Sequence, residues 1–140
     1  MAYILGFIVA DGCIHDYGHV IKIEVSPKDQ EVLEFICGQI TPDYELKYTK
    51  RGTEVRWHPS SKTIKQDLYK LGVFPRKTGK EVFPDSMPIK YYWSFLRGYF
   101  DGDGGVETCG ISITCNSKSF LNALKSKYDV GYLRKDRMNW

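Results

Sequence analysis

Apolar and polar positions along the chain follow two periods, and the switches between them mark out the elements. Residues 1–11 and about 91–102 are apolar at helical spacing, and each segment ends in Asp-Gly, a helix-stop signal. Ser26-Pro27-Lys28-Asp29 opens a further helix whose Val32, Leu33, Ile36 and Ile40 keep a period near 3.6. Ser117-Lys118-Ser119 opens its counterpart through Phe120, Leu121 and Leu124. Between these helices the period drops to two. At 20–25, Ile21, Ile23 and Val25 face one way while Lys22 and Glu24 face the other. At 110–116, Ile111, Ile113 and Cys115 oppose Ser112, Thr114 and Asn116. Two more strands fit 45–50 and 54–58 around a turn at Arg51-Gly52. This pattern points Leu46, Tyr48, Val55 and Trp57 inward and Lys47, Arg56 and His58 outward. Residues 60–71 read as a third helix, and 74–88, with three prolines, as a connector. The expected class is mixed α+β, with sheets that are oily on one face and polar on the other.

The elements repeat. Residues 4–12 (ILGFIVADG) are echoed by 96–104 (LRGYFDGDG), and 21–28 (IKIEVSPK) align without gaps on 111–118 (ISITCNSK). The offsets are 92 and 90 residues, in the same order along the chain. Such a pattern marks a duplicated unit. It divides the chain at 1–90 and 91–140, the second repeat being the shorter and, on this reading, incomplete. Residues 128–140 carry Val130, Tyr132 and Leu133 among Arg134, Lys135 and Arg137, and are expected to form one more basic strand.

Composition narrows the classes without choosing among them. The 42% hydrophobic and 26% charged residues are ordinary for a globular chain, which excludes a disordered or fibrous protein. No apolar run approaches the roughly 18 residues of a membrane span, and the opening segment lacks the basic start of a signal peptide. An intracellular protein without membrane partners is therefore expected. Cys13, Cys37, Cys109 and Cys115 form no C-x-x-C pair, so neither a zinc site nor a disulfide framework is indicated. The net charge of +3 is small but uneven: residues 43–80 hold ten basic and four acidic side chains. A basic middle of this density is either a solvated face or a surface that contacts phosphates. The same two readings apply to the polar sheet face, whose Lys, Arg, Ser, Thr, Asn and Glu side chains match base edges and phosphates.

The two Asp-Gly ends carry the chemistry. An Asp at a helix C-terminus faces the negative end of the macrodipole, at a cost of about 0.3–1 kcal/mol. Gly6 with Ala10, and Gly98 with Gly102, place small residues four apart, so two such helices can pack closely side by side. That packing would bring Asp11 and Asp103 together. Two carboxylates at two helix C-termini invite a divalent cation, and hard oxygen ligands favour Mg²⁺. A plain helix stop is the simpler explanation of one Asp-Gly; two matched copies weaken it. A calcium loop over 101–112 fails, because its sixth position is Val106 and its twelfth Ser112.

These residues resemble the LAGLIDADG homing endonucleases. Residues 4–12 resemble the first copy of the family signature and 96–104 the second, as in the monomeric branch that includes intein and intron endonucleases. The resemblance implies a pseudo-symmetric duplicated αββαββα fold, with signature helices at a pseudo-twofold interface and antiparallel saddle-shaped sheets on double-stranded DNA. It carries metal binding over to Asp11 and Asp103, with Gly12 and Gly104 beside them, and so implies Mg²⁺ or another divalent cation as cofactor. It places Lys28 and Lys118 near the scissile phosphates as further catalytic candidates. Position 9 is valine where many family members are acidic. Expected DNA contacts are Lys22, Glu24, Lys47 and Arg56 from the first repeat and Ser112, Thr114 and Asn116 from the second. The implied activity is metal-assisted hydrolysis of both DNA strands by a monomer, self-association following if the second repeat is truncated. The alternatives are a noncatalytic relative, such as an RNA splicing maturase or DNA-binding regulator, and a duplicated structural domain with no ligand.

Overall fold

A computed structural model of the chain describes residues 1–135. Helix α1 (Ala2–Asp11) is buried at every position from Ile4 to Ala10. A helix apolar on all sides belongs at the centre of a molecule, and α1 lies between a sheet and a second helix. After it come β1 (Cys13–Ile14) and β2 (Ile21–Val25), then a 3-10 turn over Pro27–Asp29 that leads into α2 (Gln30–Ile40). β3 (Lys47–Tyr48) and β4 (Val55–Trp57) complete an antiparallel sheet of order β1-β2-β4-β3. The register sets Ile23 opposite Trp57 and Val25 opposite Val55, so the alternating apolar residues of both strands enter one core. Trp57 Nε1 donates to Thr41 Oγ1 at 2.8 Å and the Tyr44 hydroxyl accepts from the His58 amide at 3.0 Å, tying the end of α2 to β4.

Helix α3 (Lys62–Lys70) is capped by the Ser61 hydroxyl, which accepts from the Ile64 amide. Its Lys65 is buried, and the ammonium donates to the His15 and Gly18 carbonyls at 2.7 and 2.8 Å, fastening the β1–β2 loop. The connector then carries Phe83 and Met87 into the core. Phe83 meets Tyr92, Phe95 and Tyr128 edge-on. Helix α4 (Tyr92–Asp103) follows a 3-10 turn, β5 (Gly104–Glu107) and β6 (Gly110–Ile113) form a separate two-stranded sheet, and α5 (Lys118–Tyr128) comes after them. The Ser117 hydroxyl caps α5 by accepting from the Phe120 amide.

Four expectations change. Tyr48 does not face in: β3 is a two-residue edge strand, and the Tyr48 ring stays out in solvent, its hydroxyl donating to Gln30 Oε1 at 3.0 Å. β6 stops at Ile113 rather than 116, because the chain turns there toward the α5 cap. Its apolar face is incompletely covered: Cys115 is buried and Ile113 half-buried, but Ile111 and its cross-strand partner Val106 are exposed. Of the strand expected at 128–140, Tyr128 ends α5, residues 129–135 form no strand, and 136–140 lie outside the described residues.

Candidate functional site

The acidic tip is built by glycine. Helices α1 and α4 lie against each other so closely that a Cβ added at Gly6 would fall 2.1 Å from the Phe95 carbonyl oxygen. At Gly98 it would fall 1.9 Å from the Tyr3 carbonyl oxygen, and at Gly102 2.5 Å from the Ala10 Cβ. Backbone therefore touches backbone along the crossing, and the two helices end together. The caps use glycine for space rather than for a left-handed turn. Gly12 and Gly104 are both extended, at φ −70° and −90°, yet a Cβ would strike the Ile8 carbonyl oxygen or the Phe100 ring and carbonyl.

Asp11 and Asp103 accordingly share one electrostatic environment. Burial, then the charge of Asp103, pushes the Asp11 carboxyl up to about 6. Asp103 is also raised, first by burial and further by Glu81, while the Tyr99 hydroxyl and Lys77 pull it back. Asp101, two residues earlier on α4, is held across the interface by the Tyr3 hydroxyl, which donates to Oδ2 at 2.8 Å. Burial and this carboxylate push the Tyr3 phenol up to about 12.

Two clefts flank the tip. One, of about 240 Å³, is walled in part by Asp11, Glu24, Ser26, Asp29, Asp101 and Gly102. The other, of about 230 Å³, is walled in part by Ala10, Lys77, Glu81, Asp103, Thr114 and Asn116. Lys77 and Glu81 come from the connector and were not anticipated. The dense basic run at 43–80 contained Lys77, but nothing local distinguished it from its neighbours. Its ammonium donates to the Ala10 carbonyl at 2.6 Å, at the C-terminal end of α1, where a cation meets the negative end of the dipole. Burial lowers its pKa while Glu81, Asp103 and Asp11 draw it back up.

Among the described residues, no cluster of three or more His, Cys, Asp or Glu side chains could enclose a metal ion. Two carboxylates, both raised first by burial, Asp11 further by Asp103 and Asp103 further by Glu81, are a donor set short of positive charge. This fits a divalent cation that keeps water and takes the rest of its shell from phosphate oxygens, the habit of Mg²⁺. Gly12 and Gly104 immediately follow these carboxylates. Lys28 and Lys118 occupy matching positions, in the 3-10 turn before α2 and at the first residue of α5, and both are exposed outside the two cleft walls.

The polar face of the larger sheet is cross-wired. Glu24 lies opposite Arg56, and Arg56 opposite Lys47. Glu24 Oε2 sits 2.6 Å from Lys22 Nζ, and Oε1 sits 2.8 Å from Arg56 Nε and 3.3 Å from His58 Nε2. Burial alone would raise the Glu24 carboxyl, but Lys22, Arg56 and His58 together hold it below its usual range. On the smaller sheet Ser112 donates to Glu107 Oε1 at 3.1 Å, while Thr114 and Asn116, exposed beyond β6, line the Asp103 cleft.

Residues 90–127 match the family model of the LAGLIDADG-like domain. The fold is the LAGLIDADG fold. The complex of I-DmoI with DNA and Ca superposes with a TM-score of 0.63 at 14% identity, over 91% of this chain and 69% of that one. I-SmaMI bound to uncleaved DNA target in the presence of calcium ions gives 0.62 at 13%, over 97% and 75%. The N-terminal LAGLIDADG domain of DUF199/WhiA gives 0.62 at 14%, over 99% and 70%. No curated protein sequence matches the chain. The chain is thus similar in architecture to homing endonucleases that have been seen on their DNA targets and to the WhiA N-terminal domain.

Proposed function

We propose that the protein is a site-specific DNA endonuclease built from repeats at 1–90 and 91–140, which hydrolyses both strands of a duplex with a divalent cation. The observation that carries this reading is the convergence of Asp11 and Asp103, one from each signature segment, at the shared end of two glycine-packed helices. Asp11 and Asp103 would hold Mg²⁺ or a similar ion, which supplies charge for the phosphodiester oxygens and a more acidic water. The protein's own residues do the rest. Lys22, Lys47 and Arg56 contact phosphates and base edges along the larger sheet, with Glu24 setting which of their protons are available. Ser112, Thr114 and Asn116 serve the other half-site. Lys28 and Lys118, at matching positions of the two repeats, would offset charge on the phosphate. Family members seen with DNA and calcium support the choice of partner and ion class.

Supercoiled plasmid libraries carrying randomised inserts, incubated with Mg²⁺, are expected to yield linear products. Asp11→Asn or Asp103→Asn should lower that rate by at least about 100-fold, the scale of losing one preorganised charge contact. DNA retardation should persist in both variants. A noncatalytic DNA-binding role is favoured instead if wild type and variants retard DNA alike and none cuts it. The match to the WhiA N-terminal domain keeps that second reading in view.

A further inference from the structure

The two clefts beside the acidic tip are built from corresponding residues but differ in charge. Val25 and Ser26 of one correspond in the repeat to Cys115 and Asn116 of the other, and Gly102 corresponds to Ala10. On the Asp11 side the wall holds Asp11, Glu24, Asp29 and Asp101 and, among the described residues, no basic side chain, though the charge of Lys77 also reaches Asp11 from the other cleft. On the Asp103 side the connector adds Lys77 and Glu81. Glu81 is 9% exposed; its Oε1 accepts from the Gly79 amide at 3.2 Å, and its Oε2 is buried with no hydrogen-bond partner among the described residues. The neighbouring Cys115 thiol, pushed up by burial and further by Glu81, is a weak neutral donor toward this carboxyl group and supplies no countercharge. A buried carboxyl oxygen with no stronger donor than a thiol is costly and favours a cation nearby. Lys77, anchored at 2.6 Å on the Ala10 carbonyl in the same cleft, is in place to supply it.

We infer that Lys77 is a tethered cation that fills the ion-binding position on the Asp103 side, so that the tip takes its first divalent ion on the Asp11 side and resists a second. This rests on the metal-site reading above and adds an asymmetry that the repeated signature lacks. Lys77 is a positioning residue in this scheme: it acts through the charge of the cleft, without touching DNA.

Titration of the full chain with Mn²⁺ alone, followed by the electron paramagnetic resonance of the free ion, tests it. Wild type should hold one ion per chain, lost in Asp11→Asn. Lys77→Met, and Lys77→Gln should the Met variant fold poorly by circular dichroism, should gain a second ion or tighten it about tenfold, and this gain should vanish when Asp103→Asn is added. Lys77→Arg, which keeps the charge, should behave as wild type. Equal stoichiometry and affinity in wild type and both neutral variants, with Asp11→Asn still abolishing binding, overturns the role of Lys77 alone. So does an Arg variant that behaves like Met. Mn²⁺ binding indifferent to both Asp→Asn changes overturns the metal-site reading and this inference with it.

Discussion

At the residue scale the molecule is defined by where it tolerates uncompensated charge. Asp11 titrates near 6 because burial and Asp103 both disfavour its carboxylate. Between about pH 4 and 6 the folded chain therefore keeps a proton that the unfolded chain has lost, and stability falls as pH rises through that window. Replacing the carboxylate with an amide removes the penalty. Asp11→Asn is expected to stabilise the protein by about 1 kcal/mol at pH 7, allowing for solvent screening of an accessible group, and by almost nothing below pH 4. Denaturant midpoints at pH 3.5 and 7 measure this; a variant less stable than wild type at pH 7 contradicts it. Improved stability together with the loss of cleavage proposed above is the trade expected if Asp11 is a residue kept for its chemistry.

At the scale of elements, the α1–α4 crossing holds the tip together. Gly98→Ala would put a Cβ 1.9 Å from the Tyr3 carbonyl oxygen, and since that neighbour is backbone it cannot swing aside. The helices would have to separate, at a cost of about 3 kcal/mol or more, visible as a large drop in melting temperature. Gly38→Ala is the control: that position lies inside α2 with nothing within 4 Å of an added Cβ. It should gain about 0.5–1 kcal/mol from helix propensity alone. Helix positions were legible from the chain to within a residue or two, because each has a clear period and a capping or stop signal. α4 ran one residue past its expected end, to Asp103, since its glycines are packed rather than turning. Strand limits were less legible. Tyr48 has the right parity to face inward, but an edge strand of two residues gives it no partner surface to pack on.

At the scale of the whole molecule, the polar sheet face presents its cations already engaged. Lys22 and Arg56 converge on Glu24, with the His58 ring beside them, so the field that the proposed DNA partner would meet is weaker than the count of basic residues suggests. Glu24→Gln should release them and raise affinity for nonspecific duplex. It should also steepen the dependence of log K on log[salt] by about 0.9 for each phosphate newly contacted. Fluorescence anisotropy across a salt series reads this directly, and an unchanged slope argues that these side chains do not face DNA. Such a device favours sites that offer Glu24 and its partners specific hydrogen bonds over mere negative charge.

Sequence alone determined what depends on local order: the duplicated signature, the helices and their caps, the inward parity of Ile21, Ile23 and Val25, and the pairing of small residues that lets two helices touch. Those features follow from periods and steric size, which a chain carries wherever it folds. Tertiary structure decided what depends on residues far apart in sequence meeting in space. Lys77 reaches Ala10 across 67 positions and Lys65 reaches His15 across 50, neither with any local mark to distinguish it from other lysines. Whether a charged side chain is solvated or committed is set by its neighbours in three dimensions, and for these residues the neighbours arrive only when the chain has closed on itself.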